Sequence, residues 1–142
     1  MSHEIIIAPL VTLIIVQSIK LATDGIKGNF NLKSIFSTYG GMPSTHSAFV
    51  TSISTMVAYK EGIESSAFGI ALIFAIIVIT DALVFRKYID QNNHAINKLI
   101  ARLPSDEQKQ FPLISTALRH TLPQALVGIL IGFTISTVIN FI

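Results

Sequence analysis

Four apolar runs, each near the length of a membrane-spanning helix, constrain this chain more than any other feature. They lie at Ile5 to Ala22, Pro43 to Tyr59, Ala67 to Phe85 and Leu122 to Ile142. A helix needs roughly 20 mostly apolar residues to cross the hydrocarbon core of a bilayer. Apolar residues make up 51% of the 142 and charged residues only 13%, too apolar a balance for an ordinary soluble domain. The expected fold is all-α: an integral membrane helical bundle of about four transmembrane helices, forming a single domain over 1–142. A net charge of +2 with no basic run interleaved with aromatics argues against nucleic acid as a partner. The chain has no cysteine, which excludes disulfides, thiolate metal sites and cysteine nucleophiles. The start, MSHE, carries no positive n-region, and no small-residue cleavage pattern follows, so the first run reads as a retained span rather than a signal peptide.

The runs are not alike. The second carries Ser44, Thr45, Ser47, Thr51, Ser52, Ser54 and Thr55, a poor match to lipid, and is expected inside the bundle. Ala48 and Ser52 on that run, and Gly128 and Gly132 on the fourth, are small residues at i, i+4 that favour close helix contact. Between the third and fourth runs lies a polar region. In its Tyr88 to Leu103 part, Ile89, Ile96, Leu99, Ile100 and Leu103 recur at roughly helical spacing, as expected for a short interfacial amphipathic helix. Pro104 ends it, and Pro104-Ser105-Asp106 reads as the start of another short helix. With four spans, nine cations from Lys20 to Arg119 share one side and only Lys60 lies opposite. The positive-inside rule then places both long loops in the cytoplasm.

The same topology gathers chemistry at one face. GGMPSTHSAF, Gly40 to Phe49, packs two glycines, a proline, three hydroxyl residues and a histidine into the head of the second run. A plain membrane anchor has no use for such a cluster. Lys20 ends the first span, Asp81 and Arg86 end the third, and Arg119 and His120 begin the fourth. Ionisable groups in spans are costly and mark functional sites by default. Each residue also has an ordinary reading. Lys20 can snorkel to the headgroups, Ser44 can serve only as a helix cap, and Asp81 with Arg86 can be a structural pair. His94 falls in an exposed polar stretch with no chemical role expected. His46 and His120 as metal ligands lack a third ligand and have cationic neighbours, so no metal and no cofactor is expected. Taken together, the set suits an anion. Gly40 and Gly41 allow a tight turn, and the helix start offers N–H groups and a positive dipole end. Two histidines beside such a cradle can divide nucleophile and acid roles.

GGMPSTHSA, with DALVFRK downstream and RHTLPQALVG near the end, resembles the divergent branch of the type-2 phosphatidic acid phosphatases. That branch is related to acid phosphatases and vanadium-dependent haloperoxidases. The resemblance implies an all-helical membrane fold. It implies that Ser44, Thr45 and His46 form the phosphate-binding and leaving-group-acid segment, and that His120 is the nucleophile forming a phosphohistidine. Lys20 matches a phosphate-contacting lysine, and Arg86 is the nearest equivalent of a phosphate-binding arginine. Arg119 sits where the family tends to have glycine, and its charge would aid phosphate binding.

One departure stands out. The family pattern has a carboxylate four residues after the second histidine; this chain has Gln124. On a helix that spacing keeps both side chains on one face, but an amide cannot offset the imidazolium charge. Asp81 is the candidate for supplying it. Four spans are also fewer than the superfamily's six helices, and a homo-oligomer would make up the difference. The expected function is a membrane-embedded lipid phosphatase. It would hydrolyse a lipid phosphomonoester or diphosphate, whether phospholipid or isoprenoid phosphate, at the cytoplasmic face of the cell membrane. The alternatives are a phospholipid-binding scaffold that has lost catalysis through Gln124, and a small transporter using Lys20 and Asp81.

Overall fold

The computed structural model describes residues 3–24, 42–114, 116 and 121–142. Among them the chain is all-helical: α1 (Glu4–Asp24), α2 (Thr45–Glu61), α3 (Ser66–Thr80), α4 (Arg86–Ile100), a single turn α5 (Ser105–Gln108) and α6 (Leu122–Phe141). Five residues in π-helical conformation, Asp81–Phe85, join α3 to α4 without a break. The amphipathic stretch is helical, as its periodicity requires, and it continues the third apolar helix. Together they form one 35-residue rod, Ser66–Ile100. At 1.5 Å per residue that rod is about 52 Å long, well beyond the ~30 Å hydrocarbon core.

The helix ends follow local chemistry. Ser44 caps α2, its Oγ accepting the Ser47 N–H, and Ser65 caps α3 by accepting the Phe68 N–H at 3.1 Å. A capping serine satisfies an amide that the helix cannot. Gly62 turns the chain between α2 and α3 at φ 87°, a region that side chains disfavour.

Cross-helix contacts set the directions. Glu4 pairs with Lys60 and Thr45 Oγ1 donates to Gln17 Oε1 at 3.3 Å, so α1 and α2 run antiparallel. Ser54 Oγ donates to the Ala71 carbonyl oxygen at 3.0 Å across the α2–α3 hairpin. α6 runs parallel to α2, joined by the Ser44 N–H to the Gln124 carbonyl oxygen at 3.0 Å. α2 packs against α1, α3 and α6, and its buried residues include Ser47, Ala48, Ser52, Ser54 and Thr55. The least apolar span is therefore the central one, as expected from its hydroxyls.

Two features make that packing close. Gly128 faces the backbone of Ser44 and Ala48, and Gly132 faces Ala48 so tightly that an added Cβ would meet its Cα at 3.1 Å. Deeper in, Thr12 Oγ1 donates to Ser52 Oγ at 3.1 Å, and Ser52 Oγ lies 2.6 Å from Ser136 Oγ. All three residues are fully buried, so one hydroxyl chain ties α1, α2 and α6. Such bonds contribute about 0.6 kcal/mol on average between membrane helices.

Among the described residues two helices, Ser66–Ile100 and Leu122–Phe141, are by themselves long and apolar enough to cross a membrane. The expected count of four is not reached on that measure. α2 has 17 residues, about 26 Å, and its hydroxyl content makes it depend on its neighbours for burial.

Candidate functional site

The antiparallel order brings the end of α1, the start of α2, the π-helical turn after α3 and the start of α6 to one end of the bundle. Lys20 is buried there at 8% exposure, one turn beyond the Gln17 that receives the Thr45 hydroxyl. His46 is exposed, and Arg86, Lys20 and Asp81 are the charged groups close enough to act electrostatically on its ring. Four of the residues expected at the site, Lys20, His46, Asp81 and Arg86, thus come together from three helices.

The π-helical turn explains how Asp81 and Arg86 meet. In an α-helix, residues five apart point well away from each other. The wider turn, closed by the Arg86 N–H to the Asp81 carbonyl oxygen, swings them onto one side. Arg86 Nε lies 3.8 Å from Asp81 Oδ2, with the guanidinium mostly buried and the carboxylate half exposed. A π-bulge inside an otherwise regular helix is often found at functional sites, and no residue pattern in the sequence announced it.

Ser44 and Gln124 have structural tasks that their motif roles did not anticipate. Ser44 is fully buried. Its N–H goes to Gln124, its carbonyl oxygen accepts from the Ala48 N–H, and its Oγ accepts from Ser47 Oγ at 3.0 Å. Thr45 and His46 stand in the first turn of α2, where N–H groups have no partner within the helix. Gln124 Oε1 accepts the Thr121 N–H at 2.8 Å, the N3 half of a capping box at the head of α6. The sequence carries that signature, Thr121-Leu-Pro-Gln124, and it is missed when Gln124 is weighed only against the family carboxylate. α6 begins at Leu122 with Thr121 as N-cap, and the relation expected between positions 120 and 124 involves a residue outside the described ones.

His120 and Arg119 lie outside the described residues, as do Gly40 and Gly41. His94 is exposed on α4, as expected. One buried carboxylate went unnoticed in the sequence. Asp90, on α4, is 8% exposed, and its Oδ1 has no hydrogen-bond partner among the described residues. An aspartate flanked by Ile89 and Gln91 gives no pattern from which its burial can be read.

The comparisons with known proteins agree with this build. Residues 1–135 match the model of the divergent PAP2 family. The uncharacterized membrane protein YuiD of Bacillus subtilis (strain 168) is 37% identical over 109 residues, covering 75% of this chain and 69% of that protein. No solved structure matches. With its family match running nearly end to end and its helices built for a bilayer, this all-helical membrane protein belongs to the divergent PAP2 family.

Proposed function

We propose that the protein is a lipid phosphatase whose site lies at the membrane face formed by the α2 start. The observation that carries this reading is the convergence of Lys20, His46, Asp81 and Arg86 at one end of the bundle. Two cations, one of them buried, and the N–H groups of Thr45 and His46 suit a phosphate dianion. Ser44 contributes by holding the α2 start against α6, with Thr45 at the rim and Arg119 adding charge beside the nucleophile.

The chemistry follows the order nucleophile, acid, water. His120 attacks phosphorus and forms an N–P bond. The P–O bond to the lipid breaks, and the leaving alkoxide takes a proton from His46. Water then attacks the phosphohistidine, giving its proton to His46, and inorganic phosphate leaves as His120 is regenerated. Asp81 stands near His46 and holds Arg86. The positive-inside bias puts this face in the cytoplasm of the cell membrane. No cofactor takes part.

A second reading rests on Gln124. Its oxygen is committed to the Thr121 N–H, so the carboxylate of the family pattern has no direct substitute there. A phospholipid-binding scaffold with an intact anion pocket would look the same. Phosphate release from phosphatidate, phosphatidylglycerophosphate and undecaprenyl diphosphate separates the two. Wild type, His120→Ala and Gln124→Glu are compared in detergent. Release that disappears in His120→Ala supports the enzyme; no release from any substrate, even with Gln124→Glu, leaves the scaffold.

A further inference from the structure

α4 turns its polar side inward and its apolar side out, the reverse of a helix on a soluble core. Asp90 is buried, and Arg86, Asn93 and Asn97 are half-buried. Asn97 exchanges two hydrogen bonds with the backbone of Ile114, at 2.7 and 3.0 Å. Phe85, Ile89, Ile96 and Leu99, by contrast, are between 41% and 62% exposed, and Tyr88 beside them is exposed too. With the exposed Asn92, the stripe Phe85, Ile89, Asn92, Ile96, Leu99 advances in steps of four, three, four and three. That is the spacing of a coiled-coil seam.

A helix lying flat at the interface would rest such a stripe on lipid. α4 instead continues α3 in one rod. Exposed Glu61 and Glu64 flank the turn before that rod, so Ser66 starts at the opposite membrane face. A ~30 Å hydrocarbon core takes about 20 residues of helix and ends near Arg86. Tilted by about 40°, the upper end of the usual range, the rod leaves the core after about 26 residues, near Asn92. Ile96 and Leu99 therefore lie beyond the hydrocarbon at any usual tilt, where lipid chains do not cover them.

The side chains in the stripe say what does. We propose that it is the seam of a parallel homodimer, with α4 of a second copy as its occupant. Two copies inserted the same way can pair only in parallel, about a two-fold axis along the membrane normal. In a parallel seam the spacing puts Ile89 and Ile96 at the a positions and Phe85, Asn92 and Leu99 at d. Isoleucine at a with leucine at d favours two strands, and a single polar asparagine fixes register at a cost in stability. The five apolar side chains present on the order of 500 Å² per copy, so pairing removes on the order of 1,000 Å², the lower bound for a specific interface. Two heptads are short for a free coiled coil, but confinement to one membrane raises the effective concentration of the partner. The seam stands apart from the phosphatase reading, and each can fail without the other.

The chain has no cysteine, so single cysteines test the seam position by position, with the full chain in liposomes and copper phenanthroline as oxidant. Ile89→Cys, Asn92→Cys, Ile96→Cys and Leu99→Cys should form disulfide-linked dimers several-fold faster than Lys87→Cys, Gln91→Cys, His94→Cys and Lys98→Cys, which sit on the exposed polar flank. Equal rates on both flanks, or no dimer at any position, would overturn the proposal. So would quenching of a fluorophore on Ile96→Cys by lipids with nitroxide-bearing acyl chains, which would make lipid the occupant. In detergent, Ile96→Glu combined with Leu99→Glu should lose the dimer peak in size-exclusion chromatography with unchanged helicity, while His94→Glu keeps it. Asn92→Leu should tighten the dimer several-fold, and a weaker dimer would count against the seam.

Discussion

Replacing Gly132 with alanine sets a methyl group onto the Ala48 carbonyl oxygen, with the Ala48 carbonyl carbon at 3.0 Å and its Cα at 3.1 Å. All three atoms are backbone, so no rotamer change relieves the contact. α6 has to move off α2, and the nearest bonds between them are Ser52 Oγ to Ser136 Oγ at 2.6 Å and the Ser44 N–H to Gln124. Overpacking of this kind costs about 1–3 kcal/mol, and each interhelical bond stretched adds about 1 kcal/mol. Alanine's better helix propensity returns about 1 kcal/mol. The net expectation is a loss of about 2–4 kcal/mol. Gly69, in the interior of α3, is the matched control, since nothing lies within 4 Å of its added Cβ. Gly69→Ala should gain about 0.5–1 kcal/mol from propensity alone. The assay is reversible unfolding in mixed micelles of mild detergent and dodecyl sulfate, read by helicity and by size-exclusion elution. If Gly132→Ala matches wild type, or if Gly69→Ala loses more than Gly132→Ala, the reading of α2 and α6 as a backbone-to-backbone seam is wrong.

Other outcomes follow from the same contacts. Ser52→Ala and Ser136→Ala should be coupled by about 0.6–1.7 kcal/mol in a double-mutant cycle, with zero coupling excluding the buried hydroxyl chain. Gln124→Ala should lower the unfolding midpoint by an amount worth about 1 kcal/mol, whereas Gln124→Glu should hold it, because glutamate completes the capping box equally well and suits the helix N-terminus. Asp90→Asn replaces a buried carboxyl whose Oδ1 lacks a partner among the described residues and should raise stability by about 1 kcal/mol. A fall in thermal midpoint instead would mean that a cation outside the described residues pairs with it.

Much of the site's address was legible because it depended on helix order. Once four apolar runs alternate in direction, Lys20, His46, Asp81 and Arg86 must fall at one end, and the structure places them there. The small-residue pairs were legible too, since Gly128 and Gly132 can meet only another backbone, and Ala48 is the residue they meet. Ser44 shows the limit. Its motif points to phosphate, yet its burial and its bond network belong to the α2–α6 contact, which no local pattern encodes.

Composition and run length determined, without any coordinates, that the chain is a helical membrane protein, and helix order placed Lys20, His46, Asp81 and Arg86 toward one end. These are one-dimensional properties: hydropathy sums along the chain, and helical rise converts residues to depth. Tertiary structure alone decided that Asp81–Phe85 widens into a π-helical turn and carries α3 straight into α4. It alone decided that Gln124 closes a cap and that Gly128 and Gly132 seat α6 on the backbone of α2. Each of these depends on which side chains and backbones meet across helices distant in sequence, and periodicity within one helix does not specify its neighbours.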